Sequence, residues 1–324
     1  MSTPILDLSY RNYDGPLEPP VYRWWAIAHA SMRLSLKKKG FWVWSALSGY
    51  WYLCLIIGFY FVDNLTPVAL DINGKNPILQ QVIWKDQFLN AFSISQLLLF
   101  VLALLLGAGS IANDNRAKAL LVYLSKPCTR LDYIVGKWFG IFLPLTVVTL
   151  IPTLLFYLYC SMTYRDYGFI SDDPTLLFRL LLMCLLPGTL HASLCVGVSS
   201  LFDQGRLAGA TYAGLYFIPV FLTKFMQIAH IIAASKSGVA PRWVDFCYYM
   251  SIDGLQIGLA KVILHTRGST PFGAMSTNHR HDMNTSLSLI NQPNGIAISA
   301  IFFGLCGLMV ALAWSRVHAV EVVG

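Results

Sequence analysis

Residues 107–140 read GAGSIANDNRAKALLVYLSKPCTRLDYIVGKWFG, a polar and basic interruption between two long apolar runs, 88–106 before it and 139–159 after it. Ala117, Leu120, Leu121 and Leu124 fall at i, i+3, i+4, i+7 spacing, which predicts a short amphipathic helix over 113–124. Pro127 stops it, because proline lacks an N–H and pushes the preceding residue out of the helical region. Thr129 followed three residues later by Asp132 reads as a capping-box restart, and a second helix runs through Tyr133 and Ile134 into the next apolar run. A helix, a proline corner and a second helix on one membrane face, with an apolar stripe not needed for spanning, make a docking surface.

Working outward, the chain has 324 residues, 56% of them hydrophobic and 12% charged, which excludes an ordinary soluble domain. The net charge of +7 does not point to nucleic acid: the basic residues sit at the edges of apolar runs, where they orient a membrane protein. Seven scattered cysteines form no C-x-x-C pair; Cys54, Cys184, Cys195 and Cys306 fall inside apolar runs, and Cys160 and Cys247 are the pair that could meet outside. The polar, proline-containing residues 1–20 do not read as a cleaved signal peptide.

The fold class expected is an all-α integral membrane protein with six transmembrane helices, at about 41–61, 88–108, 139–159, 176–202, 207–226 and 296–314. Before them, Val21, Trp25, Ala28, Met32 and Leu36 share one helix face and Arg23, Arg33 and Lys37 the other, which suits a helix lying in the interface plane. Pro187-Gly188 is expected to break the fourth span. The stretch 227–295 is mixed, with 244–264 apolar enough for a re-entrant or in-plane outer segment interrupted at Asp253-Gly254. The chain divides as one transmembrane domain: a lead and interfacial helix at 1–40, spans one to five at 41–226 with a coupling segment at 109–138, the outer segment, and a last span with its tail at 296–324.

Orientation follows from charge. Thirteen basic residues (Arg11, Arg23, Arg33, Lys37, Lys38, Lys39, Arg116, Lys118, Lys126, Arg130, Lys137, Arg206 and Arg316) fall in segments assigned inside. Only Lys75, Lys85 and Arg165 fall in the two short outer loops, so both termini are expected in the cytoplasm.

Within the spans, Asn90, Ser93 and Gln96 lie on one side of the second helix, facing either a pathway or a neighbouring helix. Gly209, Tyr212, Tyr216, Pro219 and Thr223 share a face of the fifth, facing substrate or a second subunit. His191 in the fourth span is either a functional group or a partner for backbone freed by the Pro-Gly break. Arg179 and Lys224 are expected to snorkel outward. His279, His281 and Asp282 have metal-ligand chemistry but sit in a polar loop, and a solvated loop is the favoured reading. Ala300, Gly304, Gly307 and Ala311 make a small-residue face on the last span. No G-x-x-x-x-G-K-[ST], G-x-S-x-G or H-E-x-x-H occurs, so no catalytic residue and no ATP or metal site is expected on this chain.

Asp114, Arg116, Ala119, Leu120, Leu121, Tyr123, Leu124, Ser125, Pro127, Arg130, Tyr133, Gly136 and Lys137, in that order, resemble the coupling segment of exporter-type (type 2) ATP-binding-cassette permeases. SLCVGVSSLFDQGRLAG at 193–209 and the ending from Arg316 fit the same likeness; the acidic-then-Gly start is loosened here to Asn113-Asp114-Asn115. The resemblance implies an in-plane elbow helix, a cytosolic coupling helix, and a multi-pass protein of a bacterial cytoplasmic membrane. Its implied partners are ABC ATPase subunits holding ATP and magnesium, a second permease copy or related chain, lipid, and an extracytoplasmic accessory protein on the outer segment. Asp114, Arg116, Leu120, Leu121, Tyr123, Leu124, Pro127, Arg130 and Lys137 would then form the ATPase-coupling surface. Two rivals are a membrane-embedded lipid-modifying enzyme and a non-transporting scaffold.

Overall fold

The structure, a computed structural model, describes residues 22–64, 76–80, 82–119, 128–237, 247–266, 268 and 292–317, and among these it is helical with no strand. Helix α1 (Arg23–Leu36) is a separate element: the chain goes extended at Lys38 before α2 (Lys39–Ser48). Helix α3 (Tyr50–Asn64) continues α2 past Gly49, where a Cβ would lie 3.2 Å from the Pro152 ring. A short α4 (Pro77–Gln80) precedes α5 (Trp84–Gly107), α6 (Ala112–Arg116) and the 34-residue α7 (Arg130–Thr163). Then come α8 (Leu176–Ser199), α9 (Gly205–Ser237), α10 (Cys247–Met250), α11 (Ile252–Leu264) and α12 (Gly295–Arg316).

Among the described residues, five segments are long and apolar enough to cross a membrane: Lys39–Asn64, Trp84–Arg116, Arg130–Thr163, Leu176–Ser199 and Gly295–Arg316. Helix α9 is as long but less apolar, carrying Arg206, Thr211, Tyr212, Tyr216, Thr223 and Lys224. Helix α8 is the centre of the bundle, packed by α5, α7, α9, α11 and α12, and most of it is buried. Around it, Leu53, Ile57, Phe61, Val147, Ile151, Leu155, Phe178, Ile218, Phe221, Phe225, Phe303 and Leu308 are exposed. So broad an apolar belt is stable only against lipid.

Several expectations are corrected. The Pro187-Gly188 break does not exist; α8 runs unbroken through it. A Cβ on Gly188 would lie 2.5 Å from Thr146 Oγ1 and 3.0 Å from the Phe142 carbonyl, so this dipeptide is where α7 presses against α8. Proline is tolerated inside membrane helices when neighbours satisfy the freed carbonyl. Of the helix expected over 113–124, the described part is the short α6, which ends before Lys118 at φ 52; residues 120–124 lie outside the described residues. Arg179 reaches outward past the start of α8, in the direction expected of it, and there pairs with Asp173 at 2.8 Å. Cys160 is a buried free thiol rather than half of a bridge.

The outer segment folds back into the bundle. Helix α11 ends beside the first turn of α5, where the Lys85 ammonium donates to the His265 carbonyl at 2.9 Å and the Thr266 hydroxyl donates to Asp86. Its start lies deep, because Gln256 reaches His191 in the middle of α8. With ~1.5 Å rise per residue, the ten residues from Gln256 to Thr266 climb ~15 Å, about half a bilayer core. Ser251, itself buried, caps this start by accepting the Gly254 N–H at 3.0 Å, which satisfies one orphan donor where water is scarce.

Candidate functional site

Two constellations stand out, one at the end of the bundle that carries Lys37–Lys39 and one deep between helices. At the first, helix α7 opens with the expected capping box: the Thr129 hydroxyl accepts the Asp132 N–H at 3.2 Å, and the Asp132 carboxylate accepts the Thr129 N–H at 3.0 Å. One turn further, Tyr133 donates its hydroxyl to Asp114 at 2.7 Å, and Lys137 pairs with the same Asp114 oxygen at 2.7 Å. Asp114 therefore clamps α6 to the start of α7. The Ser199 hydroxyl accepts the N–H groups of both Ile111 and Ala112 at 3.0 Å, and Asn115 donates to the Phe202 carbonyl at 3.4 Å. These bonds fasten the turn after α5 to the end of α8.

The helix α1 lies across this corner on a glycine seat. A Cβ on Gly136 would come 2.7 Å from the Trp24 carbonyl, and one on Gly140 would come 2.6 Å from Ser31 Cβ. Gly136 and Gly140, at G-x-x-x-G spacing, thus permit a close approach of α1 to α7. Between α1, the end of α5, α7 and the start of α9 lies a cleft of about 630 Å³, lined among others by Ser35, Lys38, Asn113, Asp114, Lys137 and Arg206. Lys38 donates to the Leu105 carbonyl at 2.8 Å, and burial pulls its ammonium below the ordinary lysine value.

Of the residues expected to form the coupling surface, Asp114, Arg116, Arg130 and Lys137 are described; Leu120, Leu121, Tyr123, Leu124 and Pro127 lie outside the described residues. Arg116 is exposed at the end of α6, and Arg130 is half-buried in the first turn of α7. His279, His281 and Asp282 also lie outside them.

The second constellation collects the polar residues expected in the spans. His191 is fully buried and hydrogen-bonds side chains rather than freed backbone: Nδ1 meets the Tyr212 hydroxyl at 2.7 Å and Nε2 meets Gln256 Nε2 at 3.2 Å. Since the amide nitrogen can only donate, Nε2 accepts and Nδ1–H donates to Tyr212. Tyr216 stacks on Phe100 with ring centroids 3.9 Å apart, and Asn90 and Gln96 are buried while Ser93 is half-buried. The structure therefore gathers His191, Tyr212 and Tyr216, with Gln96 one turn along α5 from Phe100.

Gln256, Asp253 and Lys261 were missed, since 244–264 looked interrupted. The signal was present: Ser251, then Asp253 in a first turn, then Leu255 and Leu259 at helical spacing.

No curated protein is similar enough in sequence to be matched with this one. The family model described as ABC-2 family transporter protein matches residues 25–315, from the third residue of α1 to the last turn of α12. With that match spanning the whole helical bundle, the chain belongs to the ABC-2 family of transporter proteins, as a multi-pass membrane permease.

Proposed function

We propose that this chain is the permease subunit of an ATP-driven exporter whose hydrolysis takes place on separate ATPase subunits docked at the Lys37 end. The observation that carries this is the Asp114 clamp inside a family-matched bundle: one carboxylate joins α6 to α7, so a force applied to the segment between them has a rigid route into both α5 and α7. The apolar ridge of Leu120, Leu121, Tyr123 and Leu124, bent at Pro127, fills a groove on the ATPase; Arg116 and Arg130 add polar contacts. ATP and magnesium belong to that partner, and this chain supplies no catalytic group.

On this reading the Lys37 end faces the cytoplasm of a bacterial cell, both termini included, and α1 is the in-plane elbow. A second copy or related chain pairs along the bare face of α12, where Gly304 and Gly307 have no other atom within 4 Å of a built Cβ. The segment between α11 and α12 serves an extracytoplasmic accessory protein.

The test is co-purification. Leu121→Asp and Leu124→Asp each place a charge on the ridge and should abolish recovery of the co-expressed ATPase while membrane insertion stays normal. Complex recovery equal to the parent chain would count against the proposal.

A further inference from the structure

Where α5, α9 and α11 meet, four buried side-chain atoms have no hydrogen-bond partner among the described residues: Gln96 Oε1, Tyr216 Oη, Asp253 Oδ1 and Gln256 Oε1. Gln96, Tyr216 and Gln256 are at most 1% exposed. An unpartnered polar group at such depth is costly, and four of them around one junction is far outside what a packed interior tolerates by accident.

Their chemistry has one sign. Gln96 spends its amide nitrogen on the Phe92 carbonyl at 3.1 Å, so its free atom is an acceptor. Gln256 spends its nitrogen on His191, which leaves its carbonyl oxygen free. Asp253 brings a carboxylate that faces the Tyr216 hydroxyl without closing a bond to it. The junction thus offers three acceptor oxygens, one formally charged, and a hydroxyl that serves either way. Such a set calls for a ligand that donates several hydrogen bonds and carries positive charge. Among the described residues, the cation whose charge reaches Asp253, Lys224 on α9, is exposed and acts on it only through space.

The chain neighbours of Asp253 and Gln256 at the start of α11, Ser251, Ile252 and Leu255, line a cleft of about 660 Å³ together with Gly214, Ile218 and Leu305. That cleft is almost wholly apolar, and it gives the bearer of such a charge somewhere to put a hydrocarbon body.

We propose that this junction binds a protonated primary amine carried on an apolar chain, the ammonium donating to Asp253, Gln96 and Gln256 and the chain lying in the cleft between α9, α11 and α12. An ammonium has three donors for three acceptors, and the carboxylate compensates its charge. This deepens the transport reading, on which it rests only for calling the ligand cargo; the ATPase docking test probes the opposite end, so either can fail alone.

The experiment uses the full chain in phosphatidylcholine nanodiscs, which offer no primary amine. Unfolding temperature is followed while dodecylamine, dodecanol or ammonium chloride is added, and in a parallel set with phosphatidylethanolamine in the bilayer. Dodecylamine should stabilise saturably where dodecanol does not, and Asp253→Asn should remove that difference. Gln96→Met keeps the side chain's length and guards against a misfolded Asp253 variant; it removes one of the three acceptors and should weaken amine affinity by about ten-fold, the worth of one hydrogen bond to a charged group. Stabilisation by phosphatidylethanolamine identifies a bilayer aminolipid as the source, and stabilisation by dodecylamine alone identifies a soluble amphiphile. Equal responses to amine and alcohol, full response to ammonium chloride alone, or an amine response unchanged in both variants would overturn the proposal, and ordered water would then be what these oxygens hold.

Discussion

Asp114 shows how much rests on a single carboxylate at the Lys37 end. Its side chain is 20% exposed and that of Lys137 is 11%, so the pair is neither a weak surface bridge nor a dry interior one. Tyr133, fully buried, donates to the same oxygen, and a Lys137→Met variant would leave Asp114 with that bond alone. Asp114→Asn should cost about 1–3 kcal/mol, because a charged partner is lost from a largely covered lysine. The check is a double-mutant cycle with Lys137→Met by thermal unfolding; additive losses would show that the two side chains do not act together. Sequence reading reached Asp114, Tyr133 and Lys137 as members of one motif but not as a clamp, because nothing local in the chain says that residues nineteen and more apart touch. His191 was found for the same reason that one of its partners, Gln256, was missed. An ionisable residue in an apolar run is visible in isolation, whereas Gln256 acquires meaning only once α11 is folded back to mid-membrane depth.

At the scale of elements, periodicity and capping were legible and interruptions were not. The Thr129–Asp132 box marked the start of α7 at the correct residue, and the five most apolar segments were all found in the sequence. Pro187-Gly188 was misread because a proline in a soluble helix is a stop, while in lipid the helix has no better alternative than to continue. Helix α1 illustrates the converse, a small-residue spacing that proved to be a contact. Gly140→Val would drive a side chain into Ser31 and should lower stability by about 1–3 kcal/mol. Gly304→Val, on a face with open space, should leave the unfolding temperature of the isolated chain unchanged. Equal losses in both would mean that α1 does not sit on α7 as described.

For the whole molecule, the apolar belt and the basic edge define a direction. If the Lys37 end faces the cytoplasm, a cysteine at Arg206 and one at Asp172 lie on opposite sides of the bilayer. In a background freed of other cysteines, a membrane-impermeant maleimide should label Asp172→Cys in intact cells and Arg206→Cys only after permeabilisation. The reverse pattern would invert the topology and with it the docking surface.

The hydroxyl of Ser199 accepts two successive N–H groups from the turn after α5, so the first and second loops at the Lys37 end are stitched together at one oxygen. On the proposed coupling, a stroke delivered to the first loop is handed to α8, against which α5, α7, α9, α11 and α12 are packed. The polar junction that His191 anchors lies on that same helix, about two turns from the stitch. On the transport proposal, cargo recognition and power input would share a single shaft.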